Sequence, residues 1–217
     1  MKKYPRTFHL PFSPEVHSDD KVINPMYLKN FIGREVVISE KMDGENSCLK
    51  GDQGVFARSH QIQTKNPWTT LLKQHYYENL QNINKDIWYF MENLYAVHSI
   101  EYKELKEYFL MFGAYLSKDD LWASWHEVEL LSTTINLKTP PVLFKGEFTS
   151  IKDIQKWMDS EIKKPSKYGK EREGFVIRVS GAFRGEDFHK NVAKYVRKGH
   201  VQTDEHWTKN WKKAELC

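Results

Sequence analysis

Ser39-Glu40-Lys41-Met42-Asp43-Gly44-Glu45-Asn46 joins an apolar run to a turn in the first quarter of the chain. The run Glu35–Glu40 contains β-branched residues and predicts a strand. Asp43-Gly44 is a pair typical of tight turns. Lys41 therefore stands at the end of a strand and just before a turn, where backbone structure can hold it facing a cleft.

The position of Lys41 suggests a chemical role for its amine. Lysine is a nucleophile only when it is neutral, and with the usual pKa of ~10.4 about one amine in a thousand is neutral near pH 7. Burial or neighbouring cations would have to lower this pKa. The pattern K-x-D-G is short enough to occur by chance, and the alternative is a charged β-turn without chemistry. A catalytic role for Lys41 therefore needs support from other motifs in the sequence.

The remaining sequence predicts a mixture of strands and helices. Strands at 35–40, 47–50 and 54–59 would form a β-meander around Lys41. A helix is expected to begin at Pro67, and Asp119 or Asp120 would cap another over 121–135. Further strands are expected at 87–94, 108–116, 142–144, 174–179 and 192–197, with a helix over 151–162 capped by Thr149 or Ser150. Because helices and strands do not alternate regularly, the predicted fold class is α+β with antiparallel sheets and flanking helices.

Length and composition limit the architecture. The chain has 217 residues, of which 40% are hydrophobic and 29% are charged, so a packed core is expected. No internal repeat or Gly/Ser linker divides it, and residues 1–217 are expected to form a single domain. There is no apolar stretch of ~18 residues, and Cys48 and Cys217 are too few for a disulfide scaffold. We therefore expect a globular cytoplasmic protein with free thiols.

The formal net charge of +4 is concentrated near the C-terminus. Between Lys190 and Cys217 there are seven lysine or arginine residues against three acidic ones. The same region carries Trp207 and Trp211, and a basic segment with aromatic residues can hold a phosphate backbone and stack on bases. The basic, aromatic segment 198–217 is therefore a candidate contact for nucleic acid. The alternative is a solvated terminus whose tryptophans dock on the core.

Five further motifs follow Lys41 in order along the chain. Taken singly, each has an ordinary explanation as a solvated carboxylate, a surface cation or a core aromatic residue. Their joint order is what favours a common site. The motifs are Ala57-Arg58-Ser59, Met91-Glu92-Asn93-Leu94-Tyr95-Ala96, Tyr108-Phe109-Leu110-Met111-Phe112-Gly113, Glu173-Gly174-Phe175-Val176-Ile177-Arg178 and Ala193-Lys194-Tyr195-Val196-Arg197.

In this order the motifs resemble those of the covalent nucleotidyltransferases, the superfamily of ATP-dependent ligases and mRNA capping enzymes. The resemblance extends from about Glu40 to Arg197 and is closest to the RNA ligases, because Lys41, Gly44 and Asn46 fit their typical K-x-x-G-x-N form. It implies a nucleotidyltransferase (adenylation) domain of the ATP-grasp-like kind. It also implies ATP as co-substrate and Mg²⁺ or Mn²⁺ as the metal ion.

The resemblance implies a role for each matching residue. Lys41 would be the catalytic residue that takes AMP in a phosphoramide bond, and Lys194 would bind the α-phosphate. Glu173 would lie near the reacting phosphate and the metal ion. The other predicted ATP- or AMP-binding residues are Glu40 at the adenine, Asn46, Arg58 at the nucleotide, Glu92 at the ribose and Phe112 stacked on the base. Cations for a triphosphate and an aromatic ring for a purine make a coherent set.

The last motif departs from the family pattern. Two lysines separated by one residue are common there, whereas this chain has Val196 where the second would stand. In a strand, Lys194 and Val196 would share one face and Arg197 would point to the other. Arg197 is therefore the weakest of the predicted nucleotide contacts, and a contact with nucleic acid is its alternative.

The predicted function is an ATP-dependent RNA ligase that joins 5′-phosphate and 3′-hydroxyl ends through a lysyl-AMP intermediate and an adenylylated 5′ end. A DNA ligase, another polynucleotide-end nucleotidyltransferase such as a capping enzyme, and a non-catalytic nucleic-acid-binding relative are the alternatives. DNA ligases and capping enzymes normally add a C-terminal OB domain, for which residues 198–217 are too short, so none is expected on that side. We expect a monomer with no membrane contact, and an end-healing kinase or phosphatase could prepare its RNA ends.

Two histidines and one missing motif complete the sequence analysis. His98 and His200 have no second ligand at a standard metal spacing, so structural roles are expected for both. No G-x-x-x-x-G-K-[ST] phosphate loop is present. Hydrolysis of the Walker type is therefore not supported.

Overall fold

The computed structural model describes residues 3–58, 62–199 and 211–217. The strands are β1 (Phe8–His9), β2 (Val36–Lys41), β3 (Glu45–Lys50), β4 (Gly54–Ala57), β5 (Ile87–Asn93), β6 (Phe109–Leu116), β7 (Leu121–Trp122), β8 (Val142–Gly146), β9 (Gly174–Val179), β10 (Phe183–Arg184) and β11 (Val192–Val196). The α-helices are α1 (Thr70–Glu78), α2 (Trp125–Thr134), α3 (Ile151–Glu161) and α4 (Phe188–Asn191). Short 3-10 helices lie at Pro25–Phe31, Pro67–Thr69, Leu80–Asn82 and Gly185–Asp187.

Two sheets organise the described residues. The first has five strands in the order β1-β11-β9-β2-β8, and the second has six in the order β10-β7-β6-β5-β3-β4. Neighbouring strands run antiparallel except β1 and β11, which are parallel. The mixed α+β class with antiparallel sheets is confirmed. Within the described ranges, no helix has the length and hydropathy needed to cross a bilayer.

The turn after Lys41 connects the two sheets. β2 pairs with β8 and β9 in the first sheet, whereas β3 pairs with β4 and β5 in the second. The predicted β-meander around Lys41 is therefore wrong, and only β3 and β4 form a hairpin there. Asp43-Gly44 forms part of a crossover instead of a hairpin turn. Lys41 consequently lies where the two sheets meet.

The alternation of side chains along the strands separates a core from a cleft. In the first sheet Ser39, Val176 and Lys194 are register partners on three neighbouring strands. Lys41 shares their face, because side chains two residues apart in a strand point the same way. A large apolar cluster that includes Ile38 from the first sheet and residues such as Phe90 from the second links the two sheets.

One predicted helix begins later than expected. Leu121–Trp122 pairs with β6 as β7, and α2 begins only at Trp125. Its cap is Ser124, which forms a capping box with Glu127, so Asp119 and Asp120 are not the capping residues. The N-terminal region has no periodic pattern, and neither β1 nor the 3-10 helix that follows it was predicted. The strands at β5, β6, β8, β9 and β11 and the helix capped by Ser150 agree with the sequence analysis.

Gly174 allows β9 to approach β11 closely. A Cβ atom on Gly174 would collide with the carbonyl oxygen of Tyr195. We predict that Gly174→Ala lowers the free energy of unfolding by about 1–3 kcal/mol, because either strand would have to shift. Urea denaturation measures this change. Gly181→Ala is the control, since a Cβ there meets no atom within 4 Å; equal effects of the two substitutions would contradict the prediction.

Candidate active site

A cleft of about 690 Å³ lies between the two sheets and contains most of the predicted site residues. Those that line it are Glu40, Lys41, Asn46, Arg58, Glu92, Phe112 and Lys194. Glu173 joins them through its contact with Lys41. The structure therefore brings together residues that are distant in the sequence, whereas Arg197 is not among the cleft residues and the Glu40 carboxylate points to the other face of β2.

The amine of Lys41 is paired with a buried carboxylate. Its Nζ donates to Glu173 Oε2 at 2.7 Å, and 26% of the Lys41 side chain is exposed. Burial acts to lower the pKa of Lys41, but the negative charges of Glu173 and Glu92 outweigh it and raise the pKa above its usual value. In this state of the site the amine is protonated.

The two carboxyl groups near Lys41 both bind protons tightly. Burial raises the pKa of Glu173 to about 7 and that of Glu92 to about 8, although the charge of Lys41 acts in the opposite direction. Glu92 Oε1 also accepts a hydrogen bond from the backbone N–H of Gly44 at 3.1 Å. Glu92 is thereby attached to the crossover turn that follows Lys41.

A row of side chains that includes Glu92 crosses neighbouring strands of the second sheet. Asn46 is the register partner of Glu92, and the backbone N–H of Arg58 donates to the carbonyl oxygen of Asn46 at 3.0 Å. Side chains at paired positions of neighbouring strands lie on one face of a sheet. Arg58, Asn46 and Glu92 therefore present a cation, an amide and a carboxyl group to the cleft from neighbouring positions of the sheet.

Phe112 reaches the cleft through an irregularity in β6. The pairing of β5 with β6 passes from Phe90–Gly113 to Met91–Met111, which leaves Phe112 as the extra residue of a β-bulge. Bulges redirect side chains next to active sites. The half-buried ring of Phe112 lies edge-on to Tyr4, with 5.0 Å between the ring centroids. An aromatic ring is thus available at the cleft, as predicted for base stacking.

Lys194 extends from β11 into the cleft. Burial and the charge of Lys41 lower the pKa of its amine. Its Nζ lies 3.6 Å from Asp20 Oδ1, and 19% of its side chain is exposed. Arg197 follows the end of β11 and, unlike Lys194, is not among the cleft residues.

Glu40 and Arg197 are bonded to other parts of the molecule. Glu40 Oε2 lies 3.5 Å from Arg172 Nε and accepts from the Lys167 N–H at 3.4 Å, on the opposite face of β2 from the Lys41 amine. Arg197 Nη2 donates to Glu171 Oε2 at 2.6 Å and is not among the cleft residues. A contact between Glu40 and adenine, and any nucleotide contact of Arg197, stay predictions.

Several cleft residues were not found by sequence reasoning. Tyr4 and Arg6 line the cleft from the N-terminal segment, and Arg178 lines it from β9. Arg178 Nη2 donates to the carbonyl oxygen of Ala123 at 2.5 Å, and burial lowers its pKa to about 10. Arg178 is the last residue of the quoted motif in β9, so its alternation with Val176 was an available signal. No comparable signal exists for Tyr4 and Arg6.

The described end of the C-terminal segment is docked on the second sheet side. The Trp211 ring lies edge-on to Trp68, with 5.8 Å between the ring centroids, and the Lys213 amine lies 5.6 Å from the centre of the Tyr95 ring. Lys212 pairs with Glu101 at 2.9 Å. The alternative that the tryptophans of this segment dock on the core is thus correct for Trp211.

The described residues include only part of the C-terminal region and one of the two histidines. Trp207, His200 and Lys209, which is one of the seven basic residues, lie outside them. His98 lines the cleft.

A divalent metal fits this site only as an ion shared with a substrate. Among the described residues there is no group of three or more His, Cys, Asp or Glu side chains placed to hold a metal ion. Mg²⁺ is commonly held by one or two carboxylates together with substrate phosphates and water. Glu173 can supply such a carboxylate, because it lies beside the Lys41 amine. These residues therefore fit a metal ion that enters with a nucleotide.

Comparison of the sequence with protein-family models finds a match over the part of the chain that forms the cleft. The RNA ligase family model matches residues 34–196, which include the cleft residues from β2 to β11. The chain belongs to the RNA ligase family. No curated protein sequence matches it.

Solved structures share the fold at low sequence identity. A variant of Naegleria gruberi RNA ligase with ATP and Mn is 17% identical, with a TM-score of 0.63, over 92% of this chain and 59% of that chain. The same ligase with PPi is 18% identical, with a TM-score of 0.63, over 92% of this chain and 58% of that chain. This chain thus spans about three fifths of the length of the solved structures that it matches.

The buried carboxyl groups make stability depend on pH. Because the pKa of Glu92 rises from 4.5 to about 8 on folding, the folded chain binds more protons than the unfolded chain between these values. Stability therefore falls as the pH rises through this window. The raised pKa of Lys41 keeps its amine protonated throughout, so it adds no slope there.

We predict that Glu92→Gln raises the free energy of unfolding relative to wild type, and that this difference is larger at pH 8 than at pH 5. The amide has no charge to desolvate, and its oxygen can still accept the Gly44 N–H. From pH 5 to pH 8, the difference in free energy of unfolding between the variant and wild type is expected to grow by on the order of 1–3 kcal/mol. Urea titrations at both pH values measure it, with exposed Glu104→Gln as the control. A wild-type stability that does not fall over this range would refute the prediction.

Proposed function

We propose that this protein is an ATP-dependent RNA ligase that joins 5′-phosphate and 3′-hydroxyl ends through a lysyl-AMP intermediate. The observation that carries the proposal is the position of Lys41, at the junction of two sheets and in a cleft with cations and carboxyl groups. Membership of the RNA ligase family supports the same reaction. No observation favours a DNA ligase, a capping enzyme or a non-catalytic relative over it.

In the first step the neutral Lys41 amine attacks the α-phosphorus of ATP. A nitrogen–phosphorus bond forms, the bond between the α-phosphorus and the bridging oxygen breaks, and pyrophosphate leaves with that oxygen. Lys194 and Arg58 supply positive charge for the phosphate oxygens as charge builds up on them. Phe112 provides a face for the base, and Glu92 can accept hydrogen bonds from the ribose hydroxyls.

The amine has to lose a proton before it can attack. Glu173 is placed to accept this proton, since its carboxylate lies 2.7 Å from Lys41 Nζ and its pKa is about 7. The Lys41–Glu173 ion pair opposes the transfer, because it raises the pKa of the amine. A Mg²⁺ or Mn²⁺ ion, when bound, supplies positive charge that lowers the pKa of a nearby amine. Glu173 and the phosphates of ATP would hold that ion.

In the second step AMP passes from Lys41 to a 5′-phosphate end of RNA, and in the third a 3′-hydroxyl displaces AMP and seals the ends. We propose that this chain provides the adenylation domain, of the ATP-grasp-like kind, and acts as a monomer in the cytoplasm. An end-healing kinase or phosphatase would supply the 5′-phosphate and 3′-hydroxyl groups. Segment 198–217 would contact the nucleic acid.

Lys41→Ala is expected to abolish the covalent adduct. Wild-type protein incubated with ATP and Mg²⁺ should gain the mass of one AMP, whereas the alanine variant should gain none, because it lacks the attacking nitrogen. Intact-mass spectrometry measures both. Lys118→Ala is the matched control, since this lysine is 70% exposed and pairs with Asp86 outside the cleft. An adduct on Lys41→Ala, or none on wild type, would overturn the proposal.

Phe112→Leu is expected to weaken nucleotide binding. Leucine retains most of the volume but removes the aromatic face, so the binding free energy of AMP should become less favourable by about 1–3 kcal/mol if base stacking here resembles that of nucleic-acid bases. Calorimetric titration with AMP measures the change. Phe144→Leu, which removes a ring from the edge strand β8, is the control. Unchanged AMP affinity in Phe112→Leu would show that the ring of Phe112 has only a structural role.

A further inference from the structure

The N-terminal segment crosses the cleft from the second sheet to the first. At one end, the Tyr4 carbonyl oxygen accepts from Arg58 Nε at 3.3 Å. The Tyr4 ring lies 5.1 Å from that of Phe90 and 5.0 Å from that of Phe112. At the other end, β1 pairs with β11, with His9 opposite Lys194. Residues 4–7, which we name the strap, therefore lie across the cleft, and all four line it.

The strap brings Arg6 next to Lys194. Arg6 Nη2 donates to Asp19 Oδ2 at 3.2 Å and to Asp20 Oδ1 at 3.3 Å. Asp20 Oδ1 also lies 3.6 Å from Lys194 Nζ. One carboxylate therefore holds two cations at the same side of the cleft. Only Nη2 of Arg6 is used in these contacts, so the remaining guanidinium donors can bind a ligand.

Buried polar groups fix the position of Asp20. His9 Nε2 lies 3.2 Å from Asp20 Oδ2, and His9 Nδ1 lies 3.0 Å from Ser13 Oγ. Ser13 Oγ in turn accepts from the Val196 N–H of β11 at 2.9 Å. Burial acts to raise the pKa of Asp20, but the His17 N–H and the charge of Lys194 lower it to about 2. Asp20 is therefore a fixed negative charge attached to β11.

The order of the strands gives the direction of a bound triphosphate. Lys41 ends β2, Lys194 lies on β11 beyond β9, and Arg6 precedes β1, which is the next strand. In phosphoryl transfer the attacking and leaving atoms lie roughly in line across the phosphorus. With the α-phosphate between Lys41 and Lys194, the leaving pyrophosphate extends away from Lys41 across the sheet. Arg6 is the cation that lies there.

We propose that Arg6 binds the β- and γ-phosphates of ATP, and therefore the leaving pyrophosphate, and that Asp20 is the positioning residue for both Arg6 and Lys194. This inference rests on the proposed function. It assigns the pyrophosphate side of the site to the strap, whereas Lys41, Glu92 and Phe112 serve the AMP portion. Arg6 should consequently distinguish ATP and inorganic pyrophosphate from AMP.

Titrations with three ligands test the assignment. ATP, AMP and inorganic pyrophosphate are titrated by calorimetry into Lys41→Ala protein, which cannot turn ATP over, with and without Arg6→Ala. We expect Arg6→Ala to weaken ATP and pyrophosphate about tenfold or more, as for loss of a charge-assisted contact, and AMP less than twofold. Asp20→Asn should show the same selectivity to a smaller degree, and Arg6→Lys should recover part of the affinity. Exposed Arg34→Ala, outside the cleft, is the control.

The other outcomes separate the two proposals. Equal weakening of ATP and AMP by Arg6→Ala, or no weakening of either, would overturn the assignment of Arg6. Loss of RNA sealing with unchanged ATP and pyrophosphate binding would also overturn it and would assign Arg6 to the RNA. Failure of the wild-type protein to form an AMP adduct would instead refute the proposed function, independently of how Arg6 behaves.

Discussion

The cleft depends on the three-residue connection Met42–Gly44. This connection carries the chain from the first sheet to the second, and because an extended chain covers at most ~3.6 Å per residue, the sheets have to face each other closely there. Gly44 passes so near the second sheet that a Cβ would lie 2.6 Å from the Asn93 carbonyl oxygen. Asp43 Oδ2 accepts two backbone N–H bonds of 2.8 Å from the loop after β5. These contacts anchor the turn that follows Lys41, and they therefore hold Lys41 at the junction of the two sheets.

The cleft holds one lysine that is paired with carboxyl groups and further cations that approach from other strands. Glu92 and Glu173 lie beside Lys41, whereas Lys194 and Arg58 approach from β11 and from the end of β4. In this arrangement Lys41 is a protonated partner of the carboxyl groups and not yet a nucleophile. In the proposed reaction, the phosphates of a nucleotide would bind to the other cations and would bring metal charge to Glu173. Under that proposal, binding of the substrate and activation of the amine would be parts of the same electrostatic change.

Sequence reasoning succeeded where strand periodicity or joint motif order carried the information. The alternation along β11 indicated that Lys194 and Arg197 would differ, and only Lys194 lines the cleft. Motif order located Glu92 and Glu173 around Lys41. Strand pairing was harder to predict, because β2 pairs with β8 and β9, which lie far along the chain. In addition, the turn residues that suggest a hairpin are also compatible with a crossover between sheets. The strap could not be predicted, since β1 has two residues and depends on tertiary contacts with β11.

The pairing of β1 with β11 also governs when the site can exist during synthesis. Chains leave the ribosome N-terminal end first, at ~5–20 residues per second. Tyr4 and Arg6 are made well before residues 192–196, which form the strand that fixes the strap. A nascent chain therefore carries a strap without its β11 partner until residues 192–196 have been made. A ribosome that stalls before residue 192 leaves a chain that has Lys41 but lacks the β11 side of the cleft, including Lys194.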